Sequence, residues 1–152
     1  MQQVLTAKAK LEEMGFKVSV WSVTSYNELY RDAEECERHN RLHPLENPRI
    51  PYIKRLFADT QGIYVSASDY MKSLANSIRP WMPDNFLILG TDGYGLSETR
   101  DDLRNYFEIS SDYICHAALV GLFREQKLSA AELKKKINKL RVNPEKPNPM
   151  DR

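Results

Sequence analysis

The run Asn85-Phe-Leu-Ile-Leu89 is almost continuously apolar and ends directly at a glycine-rich stretch, Gly90-Thr-Asp-Gly-Tyr-Gly95. A short apolar run without alternation is the pattern of a strand buried on both faces. Such a strand needs a layer of structure on each side of its sheet, which restricts the chain to a layered α/β architecture. Gly62-Ile-Tyr-Val-Ser-Ala67 reads as a second strand. Phe16-Lys-Val-Ser-Val-Trp-Ser-Val23 reads as a third, because Phe16, Val18 and Val20 alternate with polar positions and β-branched residues are frequent.

Helix signals fill the intervals. Gln2 to Met14 carries Val4, Leu5, Ala7, Leu11 and Met14 at helical spacing, and Gly15 is suited to end it. Ser25-Tyr-Asn-Glu28 and Ser129-Ala-Ala-Glu132 are capping boxes, predicting helices over 26–40 and to about 140. Pro44, Pro48 and Pro51 break the first of these connections, with a short helix expected after Pro51. Ser68 is placed to cap a helix over 69–78, closed by Pro80. Thr99 is placed to cap a helix through Phe107, and Ser111 one over 112–125, although 113–120 also reads as a strand. After Val142, Pro144, Pro147 and Pro149 predict an extended or frayed tail. The expected organisation is one domain over 1–142 and a Pro-rich C-terminal tail over 143–152. The chain opens in a helix, so it is expected to be N-terminally truncated, lacking the first strand of its sheet.

Charge and cysteine usage exclude several function classes. The 22 basic and 21 acidic residues give a net charge of +1, without the basic excess of a nucleic-acid binder. No apolar run reaches the length of a membrane span, and the N-terminus lacks the apolar core of a secretion signal. Cys36 and Cys115 are too few for a disulfide framework. A cytoplasmic protein with no membrane or nucleic-acid partner is expected.

Five groups of residues are candidates for chemistry. Gly90, Thr91, Asp92, Gly93, Tyr94 and Gly95 stand at the carboxyl end of a strand, where open α/β sheets bind ligands, but their spacing fits neither a dinucleotide fingerprint nor a P-loop. A turn needing positive φ at Gly93 and Gly95 accounts for the glycines, and Tyr94 remains a candidate interface residue. Cys36, His39 and His43 are metal-ligand types on one helix face, yet Pro44 ends the helix and no second Cys pair or acidic fourth ligand is obvious, so no metal site is assigned and a metal-binding regulator using these three residues stands as the weaker alternative. Cys115 and His116 are adjacent and point to different faces of a helix, unlike a nucleophile–base pair. Lys134 to Lys136 reads as a solvated face, and Asp101 with Asp102 as a helix first turn.

Four stretches taken together carry a resemblance: Val20-Trp-Ser-Val-Thr-Ser-Tyr-Asn-Glu-Leu29; His43-Pro-Leu-Glu46 with Pro48-Arg-Ile-Pro51; Ser68-Asp-Tyr-Met71; and Leu89-Gly-Thr-Asp-Gly-Tyr-Gly95. In order and spacing they resemble the C-terminal domain of the homodimeric pyruvate dehydrogenase first component, a transketolase-like, thiamine-diphosphate-dependent enzyme. The resemblance implies a three-layer α/β/α transketolase C-terminal fold around a small, mostly parallel sheet. It implies a parent enzyme that decarboxylates pyruvate on thiamine diphosphate with Mg2+ and reductively acetylates lipoyl groups. The implied partners are the remaining domains of the same enzyme, a second subunit and the lipoyl acetyltransferase component. In that family a Gly-Asp-Gly stretch and a later Asn-Asn hold the cofactor's metal. Here Thr91 precedes Asp92 and no Asn-Asn follows, so no catalytic, cofactor or metal residue carries over. The expected role is an assembly domain, inactive as an isolated chain; the alternative is a stand-alone binding or regulatory module of the same fold.

Overall fold

A computed structural model describes residues 1–151. The elements run α1 (Gln2–Glu13), α2 (Tyr26–Leu42), α3 (Tyr52–Leu56), β1 (Tyr64–Ala67), α4 (Lys72–Asn76), a 3-10 turn (Arg79–Trp81), β2 (Phe86–Leu89), α5 (Arg100–Tyr106), α6 (Ser111–Arg124), α7 (Ala130–Ile137) and a second 3-10 turn (Pro149–Asp151). β1 and β2 pair in parallel, with Tyr64 opposite Phe86 and Ala67 opposite Leu89. A parallel pair requires a crossover, supplied here by α4 and the first 3-10 turn.

The pleat sorts the strand residues onto two cores. On one face Val65, Ala67 and Leu89 pack against Ala7 and Leu11 of α1, Ile114, Cys115 and Leu119 of α6, and Leu128. On the other, Tyr64, Phe86 and Ile88 pack with Ala33 of α2, Ile53 of α3, Ala75 of α4, Ile78 and Trp81. The result is three layers, α/β/α, as the resemblance implied. Gly121 lets α6 rest on the sheet: a Cβ there would lie 2.5 Å from Ile63 Cγ2 and 3.1 Å from Leu87 Cδ1.

The expected strand over 16–23 does not form. Alternating exposure survives, with Phe16, Val18 and Val20 half-buried and the residues between them exposed. Phe16 and Val18 pack on the first core, and Lys8 Nζ donates to the Val18 carbonyl at 3.0 Å. A strand is a paired state, and among the described residues only β1 and β2 form a ladder. The β2 run is also less buried than its composition suggested, since only Phe86 is fully inside and Leu87 to Leu89 are half-buried.

Most helix ends follow their caps. Ser25 Oγ accepts from Glu28 N, Thr99 Oγ1 from Asp102 N, and Ser129 with Glu132 closes a complete capping box. The reciprocal half of the box at Ser25 is absent because the Glu28 carboxylate pairs with Arg31 instead. Gly15 follows α1 at φ 92°. The segment 113–120 is helical, not a strand, within an α6 whose N-cap is Ser110 in place of Ser111. Ser68 does not cap α4: its Oγ accepts from Tyr70 N in a local turn, and the helix starts later, at Lys72. Lys136 is not a solvated side chain, since its Nζ donates to the Met14 carbonyl at 2.9 Å and sits 4.8 Å from the Phe16 ring centroid. Residues after Val142 are tied to α5. Lys146 Nζ donates to the Asn105 carbonyl at 2.7 Å and pairs with Glu108 at 3.6 Å, and Pro149 is buried.

Candidate functional site

The carboxyl ends of β1 and β2 open onto two loops, 68–71 and 90–96, which are joined by hydrogen bonds. Thr91 N donates to the Tyr70 carbonyl at 3.0 Å, and Thr91 Oγ1 donates to the Asp69 carbonyl. Asp92 Oδ1 accepts from Lys72 N at 3.0 Å, and Oδ2 lies 3.6 Å from Lys72 Nζ. The Asp92 carboxylate thus satisfies a free N–H at the start of α4 and neutralises the adjacent ammonium. Gly90 permits the contact, because a Cβ would lie 2.7 Å from the Tyr70 carbonyl oxygen and 2.9 Å from Lys72 N. Backbone atoms on both sides cannot yield as a flexible side chain would. Gly93 has φ 115° and faces the Pro149 carbonyl, 2.6 Å from where a Cβ would stand. Gly95 lacks the positive φ expected for it.

This is a structural loop whose polar atoms are turned inward and whose apolar side chains are turned out. Tyr94 is 79% exposed and Tyr70 71%, with Met71 and Leu96 exposed beside them in sequence. A cavity of about 50 Å³ lies nearby, lined among others by Ala67, Ser68, Asp69 and Arg104. Organic ligand sites occupy roughly 300–1,000 Å³, so this cavity suits a water molecule, not a cofactor. Replacing Asp92 with alanine should lower stability by about 1 kcal/mol, the usual worth of a helix cap. A urea-unfolding midpoint unchanged from wild type would show that the carboxylate contributes nothing.

The other candidates separate on the same physical grounds. Cys115 is fully buried, its thiol donates to the Ala7 carbonyl at 3.4 Å, and burial pushes its pKa up to about 11. A thiol so held is a packing residue with little thiolate. His116 is half-buried, and desolvation lowers its pKa. Asp101 and Asp102 occupy the first turn of α5, as their sequence predicts. Cys36 is buried, with its thiol pKa raised first by burial and then by Asp32. It stays outside the group formed by His39 and His43, whose third member is Glu46. Glu46 was not recognisable as a neighbour from the sequence, because a turn after the helix brings it back: Glu46 N donates to the His43 carbonyl at 3.1 Å.

Comparison with known proteins adds a family. The model of the transketolase-like TK C-terminal domain matches residues 1–110. The pyruvate dehydrogenase E1 component of Escherichia coli (strain K12) is 40% identical over 144 residues, covering 94% of this chain and 16% of that protein. The protein of the same description from Pseudomonas aeruginosa is 39% identical over 146 residues, 95% of this chain and 17% of that protein. The one from Mycolicibacterium smegmatis is 36% identical over 124 residues, 82% of this chain and 13% of that protein. The chain therefore spans about one sixth of the length of the first of these relatives.

Proposed function

The chain belongs to the transketolase-like TK C-terminal domain family, and from that membership we propose that it is the assembly domain of a pyruvate dehydrogenase decarboxylating component. In this reading it packs against the thiamine-diphosphate-binding domains and a second subunit, and supplies no catalytic group itself. The full enzyme would decarboxylate pyruvate, pass the acetyl group to the lipoyl acetyltransferase component, and work in the cytoplasm. No helix of the described residues is long and apolar enough to cross a membrane.

The observation that carries the reading is the inversion at the sheet's carboxyl edge. Asp92, the acidic residue closest to a diphosphate–metal motif, is spent on Lys72, while Tyr70, Met71, Tyr94 and Leu96 face outward. A Mg2+ ion bound to diphosphate needs free carboxylate or carbonyl oxygens. Both Asp92 oxygens are engaged, and its side chain is only 14% exposed. These residues do not fit the cofactor. Exposed tyrosines with flanking aliphatic side chains instead suit a protein interface, where aromatic residues are enriched.

Two measurements test this. The isolated chain, titrated with thiamine diphosphate and Mg2+ in a calorimeter and assayed with pyruvate, should give neither binding heat nor turnover; tight binding or turnover sinks the reading. In the full-length enzyme that contains this domain, Tyr94→Ala should raise the subunit dissociation constant about tenfold or more, an effect usual for a central aromatic anchor. Unchanged assembly on sedimentation would remove Tyr94 from the interface.

A further inference from the structure

We propose that His39, His43 and Glu46 form a binding site for a divalent cation of Zn2+ type, set at the carboxyl end of α2. Nothing in the assembly role calls for such a site, and its residues lie outside the Gly90–Gly95 loop. One ligand atom from each of the three residues lies within 4.8 Å of the other two. The Glu46 carboxylate faces both imidazoles, with Oε1 at 3.1 Å from His43 Nδ1 and Oε2 at 3.7 Å from His39 Nε2. Two imidazole nitrogens and a carboxylate are a donor set that Zn2+ takes when three protein ligands leave its fourth position open.

The sequence builds this arrangement from a helix and a turn. Residues four apart on a helix lie on one face, one turn above the other, so His39 and His43 stack with ring centroids 4.5 Å apart and planes inclined at 25°. Pro44 cannot continue the helix, and the chain folds back so that Glu46 N bonds to the His43 carbonyl. Asn40 then fixes the returning segment: its side-chain amide donates to the Arg49 carbonyl at 2.9 Å, and its side-chain oxygen accepts from Arg49 N at 2.8 Å. The Asp32 carboxylate accepts from Tyr52 N at 2.6 Å, holding the next segment against α2. Glu46 is thereby brought to the histidines by backbone restraints that do not depend on the carboxylate itself.

His39 is the anchor. Its side chain is 13% exposed, against 49% for His43 and 61% for Glu46. Its Nδ1 is buried with no hydrogen-bond partner, so the polar contacts of the ring converge on the Nε2 edge that faces Glu46. Ligand atoms around tetrahedral Zn2+ lie about 3.4 Å apart, given Zn–N bonds near 2.1 Å. The Glu46 oxygens already stand 3.1 and 3.7 Å from the two imidazole nitrogens, on either side of that value. Cys36 takes no part: it is absent from the group, and its raised thiol pKa opposes the thiolate a metal would require.

The test is titration of the purified, metal-stripped 152-residue chain with Zn2+ by calorimetry and with Co2+ by visible absorption, in a non-chelating buffer. One saturable site per chain is expected, with a Zn2+-dependent rise in Tm. His43→Ala and Glu46→Gln change exposed side chains and should keep the circular-dichroism spectrum. Each should weaken Zn2+ binding by at least about 100-fold, the upper end of what even outer-shell changes cost metal sites. Cys36→Ser should leave affinity unchanged. Absence of saturable binding by the folded wild-type chain overturns the proposal. So does binding that survives both His43→Ala and Glu46→Gln, or binding that Cys36→Ser abolishes.

Discussion

Leu119→Ala is expected to lower the unfolding free energy by about 2–5 kcal/mol, the range for truncating a fully buried leucine. Leu119 is wholly inaccessible at the middle of α6, within the core that includes Ala7, Leu11, Ile114, Cys115 and Leu128. Its removal takes apolar surface from the joint between α1, α6 and the sheet, and neighbours drawn from several elements cannot all close the void together. A domain of this size has a total stability of about 5–15 kcal/mol, so the variant would approach the threshold of folding at 37 °C. Urea denaturation followed by far-UV circular dichroism measures the change. A loss below about 1 kcal/mol would mean that the core collapses around the gap, contrary to close packing at this position.

The second large effect runs in the opposite direction, by adding volume. Gly121→Leu should destabilise the fold by about 1–3 kcal/mol or more, because overpacking a filled interface forces side chains off their rotamers or moves backbone. The first added carbon already meets Ile63 Cγ2 at 2.5 Å, and Leu87 stands behind it. A leucine would lever α6 away from the sheet face that Val65, Ala67 and Leu89 present. The double variant Gly121→Leu with Ile63→Ala separates the causes. Partial recovery of the denaturation midpoint identifies steric conflict with Ile63. No recovery would place the damage in the helix backbone.

Features governed by neighbouring residues were legible in the sequence. Ser25, Thr99 and Ser129 cap the helices they were expected to cap, Gly15 ends α1, and the two apolar runs became β1 and β2. Features that depend on distant residues were not. The segment 16–23 has strand composition and strand-like alternation, but pairing is a property of two segments and its composition describes only one. The sequence assigned positive φ to Gly93 and Gly95 and no separate role to Gly90, whose requirement is close approach to Tyr70 and Lys72, which comes from tertiary packing. The departure of Asp92's neighbours from the family's metal motif is visible in the sequence, but the role of Asp92 at α4 could not be foreseen across a gap of that length. Glu46 was missed for a similar reason: the spacing His39, His43, Glu46 becomes a cluster only through the turn after Pro44 and the Asn40–Arg49 bonds.

The two-stranded sheet also has a consequence for how the molecule comes apart. The two cores share only this thin partition, whose successive residues belong alternately to one side and the other. Losing either helical layer would bare one side of a parallel ribbon that is too small to persist alone in water. Neither half can therefore melt and leave the other intact, although the two share few direct contacts. The partition makes two separate oily compartments into one thermodynamic unit.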